Sequence, residues 1–198
     1  PSARDRYSAA MFVRGWASLR GLPRGVWVLC IASFANRVGT MALPYLVLYL
    51  TGPRGFSTAQ AGTVMSVYGA TAFVAGWLAG RLCDRFGPVT ILRVTLIAAA
   101  LVLCLYPLAH SFQAVLVATV AWSICAEGFR PAVLTAVAQN APGALRKPAY
   151  ALMRLSINLG MSVGPAVGGF LAVVSFPAIF IVDGLTSLIA SLLLISAF

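Results

Sequence analysis

Residues Gly160-Met-Ser-Val-Gly164-Pro165-Ala-Val-Gly168-Gly169 lie in the middle of a long apolar segment. Gly160, Gly164 and Gly168 recur every four residues, so on a helix they form one bare stripe. Small residues at that spacing let a second helix approach to backbone contact, the way helices associate where solvent is lipid. Pro165 removes a backbone donor within the stripe and favours a bend. A thin, kinkable helix of this kind reads as a moving part more than as a passive anchor.

The composition around this stretch fixes its solvent. The 198 residues are 61% hydrophobic and only 9% charged, against about 25% charged in soluble domains. Mean hydropathy is +0.94. The chain therefore reads as an all-α integral membrane protein. The net charge of +10 does not indicate nucleic acid, because the basic residues are scattered between apolar spans and form no soluble basic face. The cysteines, Cys30, Cys83, Cys104 and Cys125, form no Cys-x-x-Cys pair and read as small hydrophobes. His110 is the only histidine, so a metal centre is not expected. Nor is an enzyme, since neither a metal cluster nor a Ser/His pair is legible.

Six segments are long enough to cross a bilayer, which takes about 20 apolar residues: 25–50, 58–82, 88–109, 113–139, 148–174 and 177–198. Ser57 and Gln60 form a Ser-x-x-Gln capping box that starts the second. Pro88 is a favoured first residue for the third, and Pro148 is the expected start of the fifth. Cys83 to Gly87 are expected to form a short loop. Residues 1–24 form a basic tail, with Phe12, Trp16 and Leu19 at helix spacing; a surface-lying helix and a disordered leader both fit it. No cleavable signal peptide is legible, and with proline at residue 1 the start codon is expected upstream.

The charges sort by side. Arg4, Arg6, Arg14, Arg20 and Arg24 precede span one, Arg81 and Arg85 sit between spans two and three, and Arg146 and Lys147 lie between four and five. Only Arg54 falls opposite. This bias predicts a cytoplasmic N-terminus in the cell (inner) membrane, with the C-terminus on the same side after six crossings.

The segment Gly80-Arg-Leu-Cys-Asp84-Arg85-Phe-Gly87 resembles the signature loop of the major facilitator superfamily, Gly-x-x-x-Asp-Arg-x-Gly, and falls between spans two and three as in that family. Pro88, Val89 and Thr90 stand where the family has Arg or Lys, with Arg93 just beyond. The stripe at Gly160, Gly164, Pro165, Gly168 and Gly169 resembles the family's antiporter motif, Gly-x-x-x-Gly-Pro-x-x-Gly-Gly, in its fifth helix. Ile124 and Glu127 stand where the fourth-helix pattern has Arg and Gln before Gly128.

The resemblance implies the N-terminal six-helix half of a twelve-helix, drug/proton antiporter-like transporter. It implies that Asp84 and Arg85 latch the cytoplasmic side to the other half. It also implies proton-coupled efflux by two bundles rocking about a midplane site. The implied partners are a small-molecule substrate, protons, the lipid bilayer and a second six-helix half, supplied by a C-terminal segment or a second copy; no cofactor is implied. Two alternatives stay open: an importer of a small metabolite, and a transport-inactive binding or scaffold protein with the same fold.

Charges at bilayer depth are costly and default to functional residues. Arg37 and Glu127 each lie about 18 Å from the cytoplasmic end of their spans, at 1.5 Å per residue. Arg130 shares the Glu127 face. Helices one and four line the central cavity in the superfamily, which would aim Arg37, Glu127 and Arg130 at the substrate path. Burial and a neighbouring arginine act oppositely on a carboxyl group, so Glu127 is the candidate for proton exchange; a structural ion pair between spans one and four is the alternative. Asp183 reads as a local packing residue of span six. Arg154, Asn158 and Ser162 lie opposite the glycine stripe, and Asn158 is a candidate substrate contact or interhelical hydrogen-bonder. Gly62, Gly69, Gly76 and Gly80 read as close-packing positions of span two.

Overall fold

The computed structural model describes Leu19 and residues 21–141 and 143–198. The tail around Phe12 and Trp16, for which the sequence leaves both a surface-lying helix and a disordered leader open, lies outside the described residues. Among the described residues, seven α-helices make six apolar crossings. They are α1 (Arg24–Gly39), α2 (Ala42–Thr51), α3 (Thr58–Phe86), α4 (Pro88–Leu105), α5 (Phe112–Asn140), α6 (Arg146–Val174) and α7 (Phe176–Ala197). Short 3-10 turns follow α4 at Tyr106–Leu108 and precede α6 at Gly143–Leu145. The chain is a six-span membrane bundle.

Local chemistry sets the helix ends. Ser57 Oγ accepts from the Gln60 N–H at 3.2 Å, and Gln60 Oε1 accepts from the Ser57 N–H at 2.9 Å, closing the capping box that starts α3. Ser111 Oγ likewise accepts from the Ala114 N–H at the start of α5. Span two does not end at Leu82: α3 continues to Phe86, so the expected loop at Cys83 to Gly87 is the helix's last turn. The stop is Gly87, whose φ of 83° only glycine adopts without strain. Helix α6 begins at Arg146, two residues ahead of Pro148, because proline is tolerated in the first turn, where its missing N–H costs nothing.

Span one is not one helix. It breaks at Thr40–Met41 between α1 and α2. Pro44 has no N–H to give the Thr40 carbonyl and its ring crowds that carbonyl, so the ladder cannot run through. Thr40 leaves the helical region (φ −68°, ψ 67°) and its hydroxyl turns back to the Asn36 carbonyl at 3.1 Å.

The helices pack in the spatial order α3, α5, α4, α7, α1, α6. Exchanging spans one, two and three for four, five and six returns the same order reversed, the pattern of two three-helix repeats. Spans two and five therefore stand at the two edges, and they are the least buried of the six.

The core is split. One apolar cluster, with Val26, Leu29, Val133 and Leu194, fills the basic end. The other, with Leu46, Tyr49, Tyr106 and Phe180, fills the opposite end. There Tyr106 stacks on Phe180 with centroids 4.8 Å apart. Arg54, the one arginine at that end among the described residues, is held by Tyr49 Oη at 2.7 Å, by His110 Nδ1 at 2.6 Å and by the Pro107 carbonyl. It ties the end of span one to the turn between spans three and four.

The two sets of glycines separate sharply. A Cβ on Gly160 would lie 3.0 Å from the Phe34 carbonyl oxygen, and one on Gly164 2.9 Å from that of Val38. One on Gly168 would lie 2.9 Å from Met41 Cβ, and one on Gly169 3.0 Å from Tyr45 Oη. The stripe thus packs inside this bundle, against span one. By contrast, a Cβ on Gly62, Gly69, Gly76 or Gly80 meets nothing within 4 Å. The close packing expected of span two does not occur within this bundle, because α3 is an edge helix and these glycines lie on its open side.

Candidate functional site

Between the two apolar clusters lies a partly open cavity of about 290 Å³. Such a gap in a bundle core is where ligands and charges are accommodated at membrane depth. Arg37, Glu127, Arg130 and Asp183 all line it, together with Tyr68 and Trp122. The structure therefore brings together three of the sequence-selected residues, from spans one and four, and adds Asp183 from span six.

Each charge is positioned by backbone packing. Arg37 sits in the last turn of α1, just ahead of the break. Its backbone is pressed against Gly160 and Gly164 of α6, and its guanidinium lies over the Phe129 ring, 5.2 Å from the centroid. Arg37 Nε is buried without a hydrogen-bond partner. Glu127 Oε1 accepts from the Tyr68 hydroxyl at 3.1 Å. Span two, which carries Tyr68, is joined to span four again by Ser123 Oγ donating to the Tyr68 carbonyl at 2.9 Å. Arg130, one turn on, is exposed toward the cavity mouth. Among the described residues no ion pair joins these groups; the contact of Glu127 is with Tyr68.

Asp183 does more than pack locally. It is only 4% exposed, and its Oδ2 accepts from the Ala42 N–H at 3.1 Å. The break in span one exposes the unpaired N–H groups of a new helix start, and a carboxylate is the group that satisfies them best. Asp183 supplies that cap from span six, 141 residues away. Beside it, Asn36 Nδ2 donates to Ser187 Oγ at 3.1 Å, tying the same two spans together.

Asn158 is not part of this cavity. Arg154, Asn158 and Ser162 form an exposed flank of α6, which follows from the stripe: the face opposite a packed face must point away from the bundle. Asp84 and Arg85 are exposed in the last turn of α3, at the basic end, and Gly87 ends that helix. Among the described residues, no group of three or more His, Cys, Asp or Glu is placed to hold a metal. Sequence reasoning missed Tyr68 as the partner of Glu127 and Asp183 as the cap. Pro44, five residues beyond Gly39, was the available sign of the break that Asp183 serves.

A six-span bundle with charged side chains around a mid-depth cavity makes this chain a multi-pass membrane protein. The Major Facilitator Superfamily profile matches residues 29–198, and the chain belongs to that family. It is 33% identical over 165 residues to the uncharacterized MFS-type transporter Rv0849 of Mycobacterium tuberculosis, covering 81% of this chain and 38% of the relative. It is 26% identical over 143 residues to the uncharacterized MFS-type transporter YqjV of Bacillus subtilis, covering 72% and 35%. To the quinolone resistance protein NorA of Staphylococcus aureus it is 24% identical over 150 residues, covering 76% and 38%. The chain thus spans well under half the length of the relatives it matches.

Proposed function

We propose that this chain forms the N-terminal half of a proton-coupled secondary transporter that exports a small molecule by alternating access. The observation that carries the reading is the cavity between the two apolar clusters, where Glu127 and Arg37 face one space at mid-depth. A relative named for quinolone resistance supports export as the direction. The basic loops support a cytoplasmic N-terminus in the cell membrane.

In this reading Glu127 exchanges the proton. Ionised, it accepts from Tyr68; protonated, it gains a donor of its own, and the span two–span four junction re-pairs. Asp84 and Arg85 latch the cytoplasmic side against a second six-helix half, which meets the open edges at α3 and α6. That half comes from further sequence or from a second copy.

The test uses the full gene product in proteoliposomes loaded with a pH-sensitive dye. A quinolone carboxylic acid is added under an imposed pH gradient. Wild type moves protons with the quinolone, and Glu127→Gln abolishes that movement while keeping the same elution profile and melting curve. Wild-type proton flux in Glu127→Gln would refute the coupling role.

A further inference from the structure

We infer that the mid-depth cavity receives an organic oxyanion, its carboxylate or phosphonate end seated on the Arg37 guanidinium and its apolar body against Trp122 and Leu96. This rests on the transport reading and names the substrate class for that site.

The argument is an accounting of donors and acceptors. Two carboxylates line the cavity, and each already has a protein donor: Tyr68 serves Glu127 and the Ala42 N–H serves Asp183. The arginines are in the opposite condition. Arg37 Nε is buried and unpaired, and buried polar groups in native structures nearly always find a partner. Arg130 lines the same space. Among the described residues that line the cavity, Arg37 Nε is the one buried side-chain polar atom without a partner, and it is a donor.

A carboxylate or phosphonate fits the fork of a guanidinium through two parallel hydrogen bonds, and placed between Arg37 and Arg130 it relieves their repulsion. A cationic ligand does neither. It enters a space lined by two arginines and leaves Arg37 Nε unpaired. The guanidinium is also fixed in place. Phe129 holds its face, and the Gly160 contact leaves no slack behind its Cα. Alongside polar Asn36, Thr40, Thr95 and Ser187, the cavity has an apolar wall of Leu96, Leu103, Trp122 and Met161, which suits an apolar body and separates the expected ligand from an inorganic anion.

The experiment titrates the purified full gene product in detergent with four probes that share one body: phenylbutyrate, phenylbutylphosphonate, phenylbutanol and phenylbutyltrimethylammonium. Calorimetry reads each affinity. The two anions are expected to bind about tenfold or more tightly than the alcohol and the ammonium, as a desolvated charge-assisted pair provides. Arg37→Gln abolishes that preference, and Arg130→Gln reduces it without abolishing it. If Arg37→Gln does not elute as a folded protein, the wild-type preference and Arg130→Gln decide. Tighter binding of the ammonium, equal binding of all four probes, no binding by any, or an unaltered anion preference in Arg37→Gln overturns the inference. Anion preference without proton-linked flux would sink the transport reading alone; flux with ammonium preference would sink this one alone.

Discussion

Substituting Gly164 with alanine sets two opposing effects against each other at one atom. The added Cβ would lie 2.9 Å from the Val38 carbonyl oxygen and 3.0 Å from that of Arg37. Comfortable contact needs about 3.5 Å, so α6 and α1 must separate by roughly 0.5 Å. Both obstructing atoms are backbone, and neither can swing aside as a side chain would. Overpacking of this kind costs about 1–3 kcal/mol. Against it stands the helix propensity gained on replacing glycine by alanine, about 1 kcal/mol. The clash wins, and Gly164→Ala should lose on the order of 1 kcal/mol. The displacement falls on the backbone of Arg37, so anion affinity at the cavity should drop with stability. Thermal melting in detergent and phenylbutyrate titration of the full gene product check both effects. A variant that melts above wild type, as propensity alone dictates, with unchanged affinity, would show that the stripe is not in backbone contact with span one.

Two further predictions concern the helix ends. Asp183→Leu strands the Ala42 N–H in a buried break and should cost about 1–3 kcal/mol, whereas Asp183→Asn keeps an acceptor oxygen and should retain most of that stability; equal losses in melting would refute the capping role. Ser57→Ala removes the cap of α3 and should cost about 1 kcal/mol, seen as faster amide hydrogen exchange at Gln60; exchange at the wild-type rate would count against the capping box as the anchor of that helix.

The spans were legible because hydropathy over about 20 residues is a property of local sequence, and the start of α3 because its cap lies within four residues of chain. The break in span one was hidden for the same reason in reverse. A hydropathy window averages across Thr40 and Met41, both compatible with an apolar run, and the group that makes the break tolerable, Asp183, sits 141 residues away. Glycine spacing could not tell which glycines pack. Those at 160, 164 and 168 meet span one, while those at 62, 69 and 76 face open space; the difference lies in the neighbouring helix, not in the residue. Arg37, Glu127 and Arg130 were found because a charge inside an apolar span is conspicuous. The pairing of Tyr68 with Glu127 was not legible, because an aromatic there looks like any other until its hydroxyl is seen on the carboxylate.

The glycine stripe and the break explain one another. Gly160 and Gly164 contact the Phe34–Val38 stretch of α1, and Gly168 contacts Met41 and Tyr45 on the far side of the break. One continuous helix, α6, thus bridges both pieces of span one. Tyr45 Oη also donates to the Pro165 carbonyl at 2.8 Å, pinning α2 to α6 at the proline itself. With Asp183 capping the start of α2 and Arg54 holding its end through Tyr49, α2 is restrained at both termini and along one side. A broken helix restrained in this way is not a free hinge, because bending at Thr40–Met41 must slide α1 or α2 along bare glycine backbone. Any displacement of α6 is then delivered directly to the backbone of Arg37, the residue that faces the cavity.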